Sequence, residues 1–188
     1  IVTRRIAYGS YLKRHTYEPK GKRFARPHVE FFFKDDAAHD PLMLWVPALG
    51  RYALYKASVP IENEGSKLGE LSPSENPLLP QHEGDIDKLI ELATECFVII
   101  EEAFARTGVT LVDLKIECGR DADGIFRIGD VVDNESGRLW IGGDENHALD
   151  KDYFRKIAKA GRPLTPAERA KIAADYAIVV NLSSLFLS

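Results

Sequence analysis

Cysteine, methionine and long apolar runs are scarce in this sequence. Its 188 residues contain one methionine and two cysteines, Cys96 and Cys118, which lack the spacing of a disulfide framework or a metal site. We interpret both as core thiols of a protein from a reducing compartment. No apolar run approaches the ~20 residues that a membrane-spanning helix needs, and no secretory leader opens the chain. The sequence therefore predicts a cytoplasmic protein without a membrane partner.

Long runs of Lys and Arg are also missing. The formal net charge is −4, and the most basic stretch, residues 20–26, is short. Because nucleic-acid binding depends on a cationic surface that neutralises phosphates, we expect no nucleic-acid partner. The length and the apolar fraction of 45% are typical of one globular domain with a sizeable core.

The most informative stretch that is present, residues 111–119, has the alternation of a strand. Side chains alternate between the two faces of a strand, so Asp113, Lys115 and Glu117 would share one side. We therefore expect one face of this strand to be core and the other to be a row of charges.

An Asp-Gly turn signal in residues 120–124 predicts an antiparallel hairpin between this stretch and residues 125–132. The returning strand would bring Asp130 near Glu117. Two carboxylates with Lys115 between them suit Mg²⁺ beneath a polyphosphate, because this ion prefers oxygen and needs few protein ligands. The same charges would equally form the solvated face of an edge strand, so the residues alone leave both interpretations open.

Five blocks of the sequence, in the same order along the chain, resemble motifs of the SAICAR synthetase (phosphoribosylaminoimidazole-succinocarboxamide synthase) family. They are residues 4–14, 29–41, 111–119, 130–140 and 150–155. In the third block Cys118 stands where the family has Phe, and the fourth block is closer to the animal-type version of the enzyme.

The resemblance implies an α+β fold with a kinase-like ATP cleft, in which an antiparallel sheet is flanked by helices. In the family, an N-terminal lobe precedes the part that these blocks cover. The first residues, Ile1 to Arg4, have the pattern of the middle of a strand, and the sequence does not begin with an initiator methionine. We therefore expect residues 1–188 to form a single C-terminal lobe, and a fragment, an unseen leading segment and a truncated homologue all remain open.

The resemblance also implies an ATP-dependent ligase that joins L-aspartate to the carboxylate of carboxyaminoimidazole ribotide and gives SAICAR in purine biosynthesis. ATP and Mg²⁺ would be its cofactors, the aminoimidazole ribotide and L-aspartate would be its small-molecule partners, and a homo-oligomer is compatible with the sequence. Lys115, Glu117 and Asp130 would be catalytic, with Glu117 and Asp130 as the metal ligands.

The resemblance further assigns substrate contacts and orienting groups. Arg4 and Ser10 align with positions that grip the ribotide phosphate, and Asp133 and Glu135 with acids that orient the metal or the amine. The complete set of substrate-binding residues would be Arg4, Ser10, Lys13, Lys34, Asp36, Asp40, Arg138, Lys151 and Arg155. On residue types alone, the favoured interpretation of these groups would be surface turns, caps and solvated ion pairs.

Two rival functions stay open. A homologous ligase acting on another amine or ribotide would differ at its substrate loops, where Tyr8, Cys118 and residues 44–81 depart from the family pattern. The second rival function is that of a truncated, non-catalytic nucleotide-binding module. The proline-rich residues 44–81 predict little regular structure beyond a short strand or helix, and we interpret them as an atypical loop or lid insertion.

Two long helices are predicted from apolar spacing and end signals. The first covers residues 85–106, with Asp85 as its N-cap. The second runs from Pro166 to about Leu187, because Thr165 and Glu168 have the spacing of a capping box around Pro at the first helical position.

Overall fold

The structure is a computed structural model that describes residues 1–133, 135–149 and 152–187. The helices are α1 (Ser10–Arg14), α2 (Glu83–Ala105), α3 (Asp152–Lys159) and α4 (Pro166–Ser184). The strands are β1 (Val2–Ile6), β2 (Arg23–Glu30), β3 (Leu42–Val46), β4 (Arg51–Tyr55), β5 (Lys67–Leu71), β6 (Val109–Lys115), β7 (Cys118–Arg120), β8 (Phe126–Ile128) and β9 (Gly137–Ile141). Helices combined with antiparallel strand pairs confirm the predicted α+β class.

The chain divides into two compact units. Unit 1 comprises residues 1–95 and 115–130, and unit 2 comprises residues 96–114 and 131–188. In unit 1, β1 and β2 pair antiparallel, with Val2 opposite Glu30 and Arg4 opposite His28. Directly opposed and diagonal residues of an antiparallel pair share a face, so this register puts Arg4 and Glu30 on the same side.

A second sheet of unit 1 corrects the prediction for residues 44–81. Three strands of this region, β3, β4 and β5, form an antiparallel sheet, so the expectation of little regular structure is wrong. Tyr52 of β4 is buried beside Met43 and Leu79, and its hydroxyl donates a 2.9 Å hydrogen bond to the carbonyl of Pro80. Burial of this cluster stabilises strands that the prolines and glycines of the sequence obscure.

The predicted hairpin is present in unit 1 over three residue pairs only, because the strand predicted for residues 111–119 is divided into β6 and β7 and only β7 belongs to the hairpin. β7 and β8 pair antiparallel, with Cys118 opposite Ile128 and Arg120 opposite Phe126. Asp121 closes the turn, because its carboxylate accepts hydrogen bonds from the amides of Asp123 (3.0 Å) and Ile125 (2.9 Å).

In unit 2, β6 and β9 pair antiparallel, and their register shifts between Leu111 and Asp113. This irregularity overturns the predicted alternation, because residues 111–114 are all buried. Asp113 is therefore not part of an exposed row of charges. Its buried carboxylate accepts a hydrogen bond from Arg138 of β9, and this ion pair compensates the charge.

The first long helix, α2, begins two residues earlier than predicted, at Glu83. Asp85 lies within its first turn rather than at the N-cap. The buried carboxylate of Asp85 accepts a 2.9 Å hydrogen bond from the amide of Gln81 and a second hydrogen bond from Arg120. The predicted cap is wrong because this side chain is held by a residue 35 positions along the chain.

The start of α4 confirms the predicted capping box. The hydroxyl of Thr165 accepts a 3.2 Å hydrogen bond from the amide of Glu168, and the Glu168 carboxylate accepts one of 2.8 Å from the amide of Thr165. Pro166 occupies the first helical position, where its missing N–H costs no helical hydrogen bond.

Both cysteines are half-buried, so neither is the fully buried core thiol that we expected. Among the helices of the described part of the chain, none is both long enough and apolar enough to cross a membrane.

Candidate active site

A cavity of about 680 Å³ lies in unit 1. One part of its wall is apolar and includes Phe31, Phe33, Met43, Leu78 and Leu79. The polar part includes the predicted site residues Arg4, Ser10, Lys34, Asp40, Lys115 and Glu117, together with His39 and Asn76. A mostly apolar concave site with a few convergent polar groups is the usual form of a small-molecule site.

Arg4 of β1 provides the buried cationic group of this wall. Arg4 is only 2% exposed to solvent. Its Nε donates a 2.8 Å hydrogen bond to Oε2 of Glu30, and its Nη2 donates a 3.3 Å hydrogen bond to Oγ of Ser10. Ser10 opens α1 directly after Gly9, whose φ of 62° is readily adopted by glycine. The guanidinium and the hydroxyl thus lie together at the cavity, a combination that suits a phosphomonoester.

Glu30 carries a negative charge at this end of the cavity. Burial would raise the pKa of its carboxyl, but the guanidiniums of Arg4 and Arg14 outweigh that effect and lower the pKa below its ordinary value. The carboxylate therefore remains ionised and holds the Arg4 side chain in place.

A second charged group lies around Glu117. Its Oε1 accepts a 2.7 Å hydrogen bond from Nζ of Lys115, and Nζ of Lys34 lies 3.8 Å away. The hydrogen bond from Lys115 is the main reason that the pKa of Glu117 is lowered. Ile1 and Ile116 exchange two backbone hydrogen bonds of 2.8 and 3.0 Å, which fixes the main chain between the two charged residues.

Asp130 follows the hairpin on the side of Glu117. The amide of Gly129 donates a 2.9 Å hydrogen bond to the carbonyl of Glu117, and Asp130 is the residue that follows Gly129. Asp130 is exposed, and Gly129 rather than Asp130 is a wall residue of the cavity. Whether both carboxylates bind one ion stays a prediction.

The residues present fit a divalent ion of the magnesium type but not a metal cage. Across residues 1–133, 135–149 and 152–187, no group of three or more His, Cys, Asp or Glu side chains is placed to hold a metal ion. Mg²⁺ is commonly bound by one or two carboxylates, with waters and substrate phosphates as its other ligands. Glu117, whose pKa is lowered, and Asp130 are the predicted carboxylate ligands, and this role stays a prediction.

Of the three residues predicted in the loop after β2, two border the cavity. Lys34 and Asp40 are wall residues, whereas Asp36 is exposed and its Oδ1 lies 2.6 Å from Nζ of Lys34. His39 and Asp40 have φ values of 59° and 48°, and the Asp40 carboxylate accepts a 3.0 Å hydrogen bond from the amide of Asp35. This bond closes the loop and keeps Asp40 at the cavity.

A family model described as SAICAR synthetase matches residues 1–166. The chain belongs to the SAICAR synthetase family. A phosphoribosylaminoimidazole-succinocarboxamide synthase of Herpetosiphon aurantiacus is 37% identical over 186 residues, which are 99% of this chain and 63% of that protein. A bifunctional phosphoribosylaminoimidazole carboxylase/phosphoribosylaminoimidazole succinocarboxamide synthetase of Drosophila melanogaster is 37% identical over 157 residues, which are 84% of this chain and 32% of the relative.

Solved SAICAR synthetase structures have the same fold. The structure from Pyrococcus horikoshii OT3 aligns with a TM-score of 0.64 at 24% identity, covering 97% of this chain and 62% of that chain. The chain therefore spans less than two thirds of the length of each of these relatives. The resemblance found in the sequence is confirmed at the level of family and fold.

The remaining predicted residues of this SAICAR synthetase family member lie away from the cavity wall or in unit 2. Lys13 is exposed on α1, and Arg155 is exposed on α3. Arg138 donates to buried Asp113, as described above. Asp133 accepts a 2.8 Å hydrogen bond from the amide of Glu135, whose carboxylate accepts one of 2.8 Å from the hydroxyl of Tyr176. Lys151 lies outside the described residues, and the substrate roles of all these residues stay predictions.

Sequence reasoning missed Glu30 and noted Arg14 only as a neighbour of the phosphate-binding residues; both contact the cavity lining without being wall residues. Both are buried, and each contacts a partner at least 16 positions away in sequence. Glu30 falls within a matched family block, and Arg14 closes another, but neither has a local pattern that predicts burial. The pairing of β1 with β2 places Glu30 beside Arg4, and α1 brings Arg14 to the same carboxylate.

Proposed function

We propose that the chain acts in an ATP-dependent ligase that joins L-aspartate to carboxyaminoimidazole ribotide and forms SAICAR. The observation that carries the proposal is the convergence of three family blocks on one cavity. Arg4 and Ser10 come from the first block, Lys34 and Asp40 from the second, and Lys115 and Glu117 from the third. Family membership supports the reaction class, because the curated relatives are named for this synthesis.

Amide formation from a carboxylate and an amine at neutral pH requires activation of the carboxylate, because hydroxide is a poor leaving group. ATP would supply that activation by phosphorylating the carboxylate with release of ADP, and the amine of L-aspartate would then displace phosphate; Mg²⁺, when bound, would neutralise the phosphate charges. The residues present would then have separate tasks. Glu117 and Asp130 would hold the ion, and Lys115 would contact the transferring phosphoryl group or the reacting carboxylate.

Ribotide binding is assigned to the buried end of the cavity. Arg4 would contact the phosphate through its planar guanidinium, and Ser10 would add a hydroxyl donor. Lys34 and Asp40 border the same space and would bind polar groups of the substrates. Holding two substrates in fixed orientation at a single cavity is a large part of the rate acceleration that such an enzyme needs.

We also propose a cytoplasmic location. Both cysteines are free thiols, which are typical of reducing compartments.

The test is a steady-state assay of the protein with ATP, Mg²⁺, carboxyaminoimidazole ribotide and L-aspartate. We expect SAICAR and ADP in equal amounts, and no product when any one component is omitted. Turnover with a different amine but not with L-aspartate would indicate the homologous ligase. Nucleotide binding by calorimetry without turnover across a panel of amines would indicate a binding module.

A further inference from the structure

Arg14 of α1 is a buried arginine that borders the cavity wall from behind. Its side chain is 1% exposed and donates hydrogen bonds to Oε1 of Glu30 and to the carbonyl of Ala57. The Arg14 guanidinium carbon lies 5.3 Å from the ring centroid of Phe32. Ala57 and Phe32 are both wall residues of the cavity. Arg14 therefore holds two parts of the wall without being part of it.

Glu30 is shared between two arginines. Its Oε1 accepts from Arg14 and its Oε2 accepts from Arg4, so each guanidinium faces one oxygen of the same carboxylate. A carboxylate that divides its charge between two cations neutralises each of them less than it would neutralise one alone. The Arg4 guanidinium, which also contacts Ser10 at the cavity, consequently keeps more of its attraction for an anion.

One donor of the Arg14 guanidinium is not used by the part of the chain that the structure describes. Its Nε is buried and, among the described residues, has no hydrogen-bond partner, a property that it shares with Nε of Arg120. A buried N–H without a partner costs free energy, and such groups often accompany functional sites.

We propose that Arg14 is a positioning residue for the phosphate of the ribotide, acting through Glu30 on Arg4. The ligand that this arrangement selects is a phosphomonoester dianion, and the inference rests on the proposed function only in naming the ribotide as its source. Arg14 occupies one oxygen of Glu30, so Arg4 is oriented by the other oxygen while its positive charge remains available at the cavity.

The experiment compares three probes by calorimetry: the ribotide, the corresponding riboside without its phosphate, and inorganic phosphate. Arg14→Met removes the second cation from Glu30. Arg26→Met is the matched control, because Arg26 is exposed on β2 and is not a wall residue of the cavity. We expect Arg14→Met to weaken binding of the ribotide and of phosphate by about tenfold and that of the riboside by less than about twofold, because only the phosphate interacts with the Arg4 charge. Arg26→Met leaves all three affinities unchanged.

A purely structural role for Arg14 would weaken ribotide and riboside equally, and that result overturns the proposal. Absence of phosphate binding by the unmodified protein overturns it as well. Phosphate binding that depends on Arg14, in a protein that makes no SAICAR, supports the positioning role while refuting the proposed ligase.

Arg14→Lys provides a second variant in case Arg14→Met fails to fold. A lysine keeps the charge but lacks the planar fork that reaches both Glu30 and the carbonyl of Ala57. We expect the affinity for the ribotide and for inorganic phosphate to fall by about threefold, and the affinity for the riboside to stay the same. A loss shared with the riboside contradicts the proposal.

Discussion

The amide of Gly129 donates a 2.9 Å hydrogen bond to the carbonyl of Glu117, so the chain leaves the hairpin beside the predicted metal ligand. This contact is made by the main chain and extends the pairing of β7 with β8 by one step. Strand pairing thus fixes the main chain up to Gly129, the residue before Asp130. A shared metal site at Glu117 and Asp130 stays a prediction.

We predict that Glu117→Gln lowers the rate of ATP-dependent amide formation by at least about 100-fold, because loss of a metal ligand removes several kcal/mol of transition-state stabilisation. Asp130→Asn should have a similar effect, and both variants should need more Mg²⁺ for half-maximal activity. The measurement is a magnesium titration of the steady-state rate. Asp123→Asn, an exposed change in the turn of the same hairpin, is the control and should leave the rate unchanged. Full activity of Glu117→Gln would exclude this residue as a metal ligand.

A second prediction concerns the ion pair that attaches the hairpin to α2. Arg120 donates to the buried carboxylate of Asp85, and its guanidinium lies 4.5 Å from the ring centroid of Phe126. Burial raises the pKa of Asp85, but the amide of Gln81 and Arg120 together lower it below its ordinary value. Arg120→Met removes the hydrogen-bonded cation of Asp85 and leaves Nζ of Lys88 at 4.0 Å, so we expect the free energy of unfolding to fall by about 2–3 kcal/mol.

Urea unfolding followed by circular dichroism measures this loss. Arg127→Met is a matched control on the same hairpin, because Arg127 pairs with Asp121 while its own side chain is 63% exposed. Exposed pairs contribute at most about 1 kcal/mol, so the control should lose far less stability. Equal losses of unfolding free energy in the two variants would show that the pair of Arg120 with Asp85 stabilises the protein no more than an exposed pair does.

Signals that act over a few residues were predictable from the sequence. The capping box of Thr165 and Glu168 and the turn that ends in Asp123-Gly124 are both formed within five residues, so residue type and spacing were sufficient to predict them. The family blocks also predicted that Arg4, Ser10, Lys34, Asp40, Lys115 and Glu117 belong to one site, and these residues border one cavity.

Features that depend on distant partners were not predictable. Asp113 was expected on a charged face, but a register shift in the pairing with β9 buries it against Arg138. Glu30 and Arg14 carry charges that sequence patterns place on surfaces, and their contacts with each other, with Arg4 and with the carbonyl of Ala57 compensate their burial. The three-stranded sheet of residues 42–71 was missed because proline and glycine suggest loops, whereas strand pairing and the burial of Tyr52 determine the outcome.

A third prediction tests the close approach of β6 and β9. A Cβ added to Gly137 would lie 2.6 Å from the carbonyl oxygen of Asp113, a contact with main chain that cannot move easily. We expect Gly137→Ala to lower the free energy of unfolding by about 1–3 kcal/mol, because overpacking forces backbone shifts. Gly69→Ala is the control in β5, where an added Cβ has nothing within 4 Å. That variant should be neutral or slightly stabilising, since alanine restricts the unfolded chain. Equal behaviour of the two variants in denaturant unfolding would contradict the packing that the structure shows.

A final prediction concerns acid stability at the start of α4. The pKa of Glu168 is lowered from 4.5 to about 2, chiefly by hydrogen bonding to Arg162 and also by the amide of Thr165. A carboxyl whose pKa is lower in the folded state binds its proton more readily in the unfolded chain. Its contribution to stability is therefore complete above pH 4.5 and disappears as the pH falls through about 2.

We accordingly expect Glu168→Gln to lower the melting temperature at pH 7, and the difference from the unmodified protein to narrow steadily between pH 4.5 and 2. Thermal unfolding across this range provides the measurement, and Glu64→Gln, at an exposed position away from any helix, should show no such trend. Glutamine retains an acceptor for the Thr165 amide, so the part of the effect that varies with pH reports the charge. A difference in melting temperature that stays constant down to pH 2 would mean that the Arg162 ion pair contributes nothing, and that the capping box acts only through its neutral hydrogen bonds.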